Sequence, residues 1–308
     1  MSTLNRLHSQ RAIERTTRAR MNDATLSVSS SLEALEHAKC CWIAEPQQLI
    51  TAAGKDVESH KAMVRSDTGA IIGIVGKDWT PIQNAEAFAF FDTIVKEKGM
   101  SYIKAKEIDG GSKVFLQAKV STGEVRKGDI VENRLTLVNA FNGSSSFMIR
   151  MTPMRLVCTN GLLSADKAHS IHVRIRHTRS AKERYEQALM IFAGAQKAFQ
   201  TFLDASRALT QKMVDKEMVR RFLNSTFGDE NNESARIRNQ KNDSFILSQA
   251  GAGNGQGTLW DLYNGVTDFV DHARSKNPEQ AEVSALFGSG SHIKERAFSA
   301  ALAEIGVR

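Results

Sequence analysis

Residues 171–176 read Ile-His-Val-Arg-Ile-Arg. Side chains on a strand point to opposite faces in turn, so this run defines two faces at once. Ile171, Val173 and Ile175 require a core, while His172, Arg174 and Arg176 form a cationic row. The run closes a longer stretch, residues 139–177, in which strand-like segments are punctuated by Asn142-Gly143 and Asn160-Gly161. Both dipeptides are strong turn signals.

The segments before it also read as hairpins. Residues 62–65 and 71–75 flank Asp67-Thr68-Gly69, and residues 102–108 and 113–120 flank Asp109-Gly110-Gly111. A strand over 134–141 follows the Gly128-Asp129 turn. Another over 146–152 is expected to end or bulge at Pro153, with extended structure resuming over 154–159. Between the hairpins, Asn84 is a good cap for a helix over 85–98, with Phe88, Phe91, Ile94 and Val95 as its apolar stripe. A short helix fits 32–42, and residues 47–53 lead into a polar loop.

From residue 180 the period changes. Tyr185, Leu189, Phe192, Phe199, Phe202 and Leu203 recur at helical spacing up to about residue 212. Further helices are expected over 215–227, 234–249, 258–273 and 294–305. The fold class is therefore α+β: an antiparallel β-sheet built of hairpins with a packed helix, followed by a helical C-terminal half. Three regions follow, a flexible basic arm over 1–30, a sheet domain over 31–180 and a helical region over 181–308.

The net charge of +7 is unevenly spread. Residues 101–180 hold thirteen basic against six acidic residues, whereas residues 181–308 hold sixteen of each. The N-terminal region adds Arg6, Arg11, Arg15, Arg18 and Arg20. A concentrated basic patch fits a polyanionic partner. Lys104, Lys106, Lys113, Phe115 and Lys119 interleave cations with an aromatic ring on the two strands of one hairpin, with Tyr102 in phase. Lysines that track phosphates beside a ring that stacks on bases suit a nucleic-acid single strand. Arg150, Arg155, Arg174 and Arg176 extend the candidate surface. The structural alternatives are a helix packed on the Phe115 face, and buried arginines paired with carboxylates.

Signatures of other chemistry are missing from the sequence. It has no phosphate-binding Gly-rich loop ending in Lys-Ser/Thr, no Cys-x-x-Cys and no His-Glu-x-x-His. No catalytic residue, cofactor or metal is expected. Three cysteines make no disulfide framework, which fits a reducing compartment. No apolar run is long enough to span a membrane and no apolar leader is present, so a cytoplasmic location is expected.

Several runs together resemble a known family. They are Asp67-Thr68-Gly69, residues 73–76 (Gly-Ile-Val-Gly), Trp79-Thr80-Pro81-Ile82-Gln83-Asn84, Gly110-Gly111, residues 142–145 (Asn-Gly-Ser-Ser), Pro153-Met154-Arg155-Leu156-Val157-Cys158-Thr159-Asn160, Arg176-His177-Thr178, Phe287-Gly288 and Lys294. They resemble the phage- and plasmid-borne family catalogued as domain of unknown function nine-three-two. The resemblance implies a mobile-element setting in bacteria and carries no agreed catalytic residues. By analogy of size and setting, the expected function is that of a single-stranded DNA-binding, ATP-independent annealing protein for recombination. Such a protein is expected to assemble into a ring or filament, with Phe199, Phe202, Trp260 and Phe269 offering apolar surface. Two alternatives stand beside it. One is an enzyme with a site around Asn139, Asn142, Cys158 and Asn160. The other is a protein-binding factor that modulates host defence.

Overall fold

The structure is a computed structural model that describes residues 26, 28, 30–97, 101–156, 160–162, 171–192, 194–228, 257–274 and 278–307. Cys158, the predicted helix over 234–249 and most of the basic arm lie outside these residues. Leu26 and Val28, near the end of that arm, lie along the strand that contains Tyr102 and Ile103.

A small antiparallel sheet comes first, in the order β1 (Ala44–Ile50), β2 (Asp56–Arg65) and β3 (Ile71–Gly76). β2 and β3 are the predicted hairpin. β1 occupies part of the stretch that reads as the approach to a loop. Residues 45–48 are exposed on both faces, so nothing demands apolar alternation there, and Pro46 is tolerated on an edge strand. Arg65 ties this sheet to the rest. Its guanidinium donates to both carboxylate oxygens of Asp67 at 3.0 and 2.9 Å, to Glu107 at 2.7 Å and to the Gly110 carbonyl at 3.1 Å. The same group sits 4.7 Å from the centre of the Trp42 ring.

β3 also passes very close to the turn over Asn142. A Cβ on Gly73 would stand 2.4 Å from Asn142 Cα and 2.5 Å from the Phe141 carbonyl oxygen. Backbone cannot yield as a flexible side chain does. Gly73→Ala is therefore expected to cost about 2 kcal/mol of stability. The check is a lower urea midpoint with an unchanged slope of the unfolding transition.

The large sheet holds β4 (Ser101–Ile108), β5 (Lys113–Arg126), β6 (Asp129–Ala140) and β7 (Phe147–Arg155), antiparallel and in chain order. The far side of β7 pairs with β8 (Asn160–Gly161) at one end and β9 (His172–Ile175) at the other. β7 runs through Pro153 with unbroken register, where the sequence reading has the strand end or bulge. Pro153 faces Asn133 on β6, and its carbonyl accepts the Leu162 amide at 2.7 Å.

One face of this sheet carries the first core. Val114, Leu116, Leu135, Leu137, Phe147, Ile149 and Ile175 are buried there with α1 (Ser31–His37) and α2 (Asn84–Glu97). The Asn84 side chain donates to the Cys40 carbonyl at 3.1 Å, so it links α2 to the segment that follows α1. The expected long helix after residue 180 is divided into α3 (Tyr185–Phe192) and α4 (Ala195–Thr210), with Gly194 at the start of the second. α5 (Lys216–Phe227) starts where Asp215 accepts the Met218 amide at 2.8 Å. α6 (Leu259–Asp268) opens with a reciprocal Thr258–Asp261 cap and runs into a π-helical turn, Phe269–Ala273. α7 (Pro278–Phe287) and α8 (Ser289–Glu304) complete the chain. α7 was not foreseen from the sequence.

The second core is helical. Phe199, Phe202, Trp260 and Phe269 are buried in it, so the apolar surface expected to drive assembly is consumed within one chain. Among the described residues no helix is long and apolar enough to cross a membrane.

Candidate nucleic-acid interface

The second face of the large sheet contains most of the predicted basic residues. Antiparallel register aligns side chains across strands, and two rows follow directly from it. The first runs Lys106, Phe115, Val138, Met148, Arg174 over β4, β5, β6, β7 and β9. The second runs Lys104, Gln117, Thr136, Arg150, His172. Five strands at about 4.8 Å spacing make each row about 19 Å wide. In the first row cations stand at both edges with apolar groups between them, and in the second Lys104 stands at one edge and Arg150 next to the other. Tyr102 is not part of this face. A register shift between Tyr102 and Lys104 turns it to the other side, where its hydroxyl donates to Asp92 of α2 at 2.7 Å.

The middle of the face is not open. Leu286 and Phe287 of α7 pack with Ile108, Phe115, Val138 and Met148, and Phe115 is fully buried. The helix-packing alternative for Phe115 is therefore the one realised. The cations around it hold carboxylates. Glu282 of α7 bridges Lys104 at 3.0 Å and Lys106 at 2.7 Å. Arg150 pairs with Glu295 of α8 and donates to the Leu286 carbonyl at 3.1 Å. Lys119 stands 3.4 Å from Glu132. Lys113 is half-buried and has no carboxylate partner among the described residues.

Arg155 belongs to a different place. It is 0% exposed at the opposite end of β7, and both its fork nitrogens donate to Asp129 at 2.6 Å. Trp260 Nε1 donates to the same carboxylate at 3.0 Å, and the guanidinium lies 5.7 Å from the Trp260 ring centre. Arg155 thus pins the sheet to α6, the buried-arginine alternative. No strand of nucleic acid can reach it in this state.

Arg174 and Arg176 are exposed on the outer strand β9 and just beyond it, with no carboxylate partner among the described residues. Ile175 between them is buried, as the alternation requires. Arg179 and Arg184 continue the exposed cations, and Lys77 adds one from the β3–α2 connection. That connection is held to β9's end by the Thr80 amide, which donates to the His177 carbonyl at 3.1 Å. The rings of Trp79 and His177 stack with centres 4.5 Å apart. Burial pushes the His177 imidazole down to about 4, against a smaller upward pull from the Thr80 backbone. It is therefore neutral at physiological pH, and half-buried Trp79 packs against the first core. Sequence reading missed this pairing because the two rings are far apart along the chain. The Trp79-Thr80-Pro81 run was the only hint of it.

Of the residues of the enzyme alternative, the three that are described, Asn139, Asn142 and Asn160, do not converge. Asn139 is buried and donates to the Ile82 carbonyl at 2.8 Å, which holds the α2 approach. Asn142 closes its own turn by accepting from the Ser144 amide at 3.1 Å and hydroxyl at 2.6 Å. Asn160 pairs with Arg155 at the other end of β7. The length of β7 separates the two groups by about 25 Å.

Fold and surface together define an α+β protein whose large sheet ends in an exposed arginine edge, without carboxylate partners among the described residues. The chain belongs to the family described as Domain of unknown function (DUF932), whose model matches residues 71–287, from the start of β3 to the end of α7. No curated protein and no solved structure matches it.

Proposed function

We propose that this protein binds single-stranded nucleic acid, DNA in preference to RNA, and anneals complementary strands without ATP or a metal, as a cytoplasmic recombination protein of a phage or plasmid. The observation that carries the reading is the pair Arg174 and Arg176, exposed and without carboxylates among the described residues while the other arginines of the candidate surface are paired. A guanidinium donates two parallel hydrogen bonds to phosphate oxygens.

The test is a salt titration of binding to oligo(dT). Each lost phosphate contact lowers the log–log slope by about 0.7 for a single strand. Arg174→Ala with Arg176→Ala is expected to flatten the slope by about 1.4 and to leave the melting temperature within error. A lower melting temperature with an unaltered slope would assign the arginines to the fold and remove the reading. Assembly into a ring or filament is part of the proposal. The outer face of the small sheet supports it, because Ile71 and Ile74 are 65% and 58% exposed there. A monomer mass by light scattering, with and without DNA, would exclude it.

A further inference from the structure

The arginine edge is one end of a wider surface, and α7 covers the remainder. We propose that α7 is a strap occupying a single-strand binding face, with Glu282 standing where phosphate oxygens would lie. The inference rests on the reading above and extends it from the edge to the whole five-strand face.

Three observations support it. The first register row carries the composition a single-strand groove needs, a cation at each edge and a ring at Phe115 between them, and the second adds Lys104 and Arg150. α7 satisfies that composition with the matching chemistry. Its carboxylate bridges the two lysines at one edge, and its Leu286 and Phe287 fill the apolar middle. The contact with the sheet is small. The cluster α7 forms with the sheet contains six buried residues, and Glu282, Val283 and Ser284 are only half-buried, while on its other side α7 adds Ala285 to the second core. A single residue, Gly288, joins α7 to α8.

The energetics are those of competition between an internal carboxylate and an external phosphate. The partly exposed Glu282 pairs are individually weak. A polyanion that reaches Lys104 and Lys106 together with Arg174 gains several contacts at once and releases counterions as it binds. With α7 displaced, Phe115, Val138 and Met148 form an apolar strip flanked by those cations.

The experiment compares the full chain with Glu282→Gln in salt titrations on oligo(dT), and follows amide hydrogen exchange in α7. A strap shut in about nine of ten molecules weakens binding about tenfold, so its release tightens binding by that factor. The slope is expected to stay as in wild type, because the two lysines are engaged in both complexes. Adding Lys104→Ala and Lys106→Ala to Glu282→Gln should flatten it by about 1.4. Phe287→Ala loosens the same cluster by another route and should act in the same direction. In the wild-type complex, exchange over α7 should be faster than in the free protein. An unchanged affinity in Glu282→Gln, a slope indifferent to Lys104→Ala and Lys106→Ala, or slower exchange over α7 on binding overturns the strap and leaves the arginine edge standing. No binding by wild type or any variant at low salt overturns both.

Discussion

Arg155→Ala is expected to lower stability by roughly 3–5 kcal/mol, the cost of leaving a buried charge without its partner. The partner is Asp129, which is itself buried and also takes the Trp260 indole hydrogen bond. Arg126 lies nearby, 3.4 Å from Asp129 and 2.6 Å from Asp261, and cannot replace two short parallel bonds from a second direction. For a chain of this size the fall corresponds to a melting temperature lower by about 10 °C. Because the pair joins β6 and β7 to α6, the helical half should loosen first, which hydrogen exchange in α6 would register. Changing Asp129 to Leu in the same chain should cost much less than the sum of the two single changes. A loss below about 1 kcal/mol for Arg155→Ala would mean that water reaches the site, and would return Arg155 to the list of nucleic-acid contacts.

The second large effect is in acid. His177 is 5% exposed and its pKa falls from the usual 6.5 to about 4 through burial. Between those values the unfolded chain binds a proton that the native imidazole refuses. Stability is therefore fully present above pH 6.5 and is lost as pH falls towards 4, where the loss levels off. The shift corresponds to roughly 3 kcal/mol. His177→Phe keeps a ring against Trp79 and removes the titration. The difference in unfolding free energy between wild type and this variant should change by that amount from pH 7 to pH 4. A constant difference across that range would show that the imidazole is already wet.

The strands with one buried face were legible because burial on one side imposes period two. Residues 171–176 alternate as expected, with Ile175 buried and Arg174 and Arg176 exposed. The hairpins around Asp67-Thr68-Gly69 and Asp109-Gly110-Gly111 were legible from their turn residues. β1 was not, because an edge strand exposed on both faces has no pattern to show. Pro153 misled for a related reason. A proline can sit inside a sheet if its ring nitrogen falls where no ladder bond is needed, and that depends on the register of β6 against β7.

The site divides along the same line. Residue types and spacing by themselves determined that cations and a ring share one face of a sheet, and that the arginines of β9 oppose an apolar set. Both follow from local geometry, since neighbours on a strand fix each other's direction. Only the tertiary structure decided what lies on top. A helix that the sequence reading does not find, α7, returns from more than 150 residues away to bury Phe115 and to pair Glu282 with Lys104 and Lys106. Arg155, which has the same chemistry as Arg174, is enclosed because Asp129 and Trp260 converge on it from distant segments. Whether a charged side chain faces water or a carboxylate depends on contacts between segments far apart in the chain, and local periodicity holds no information about those.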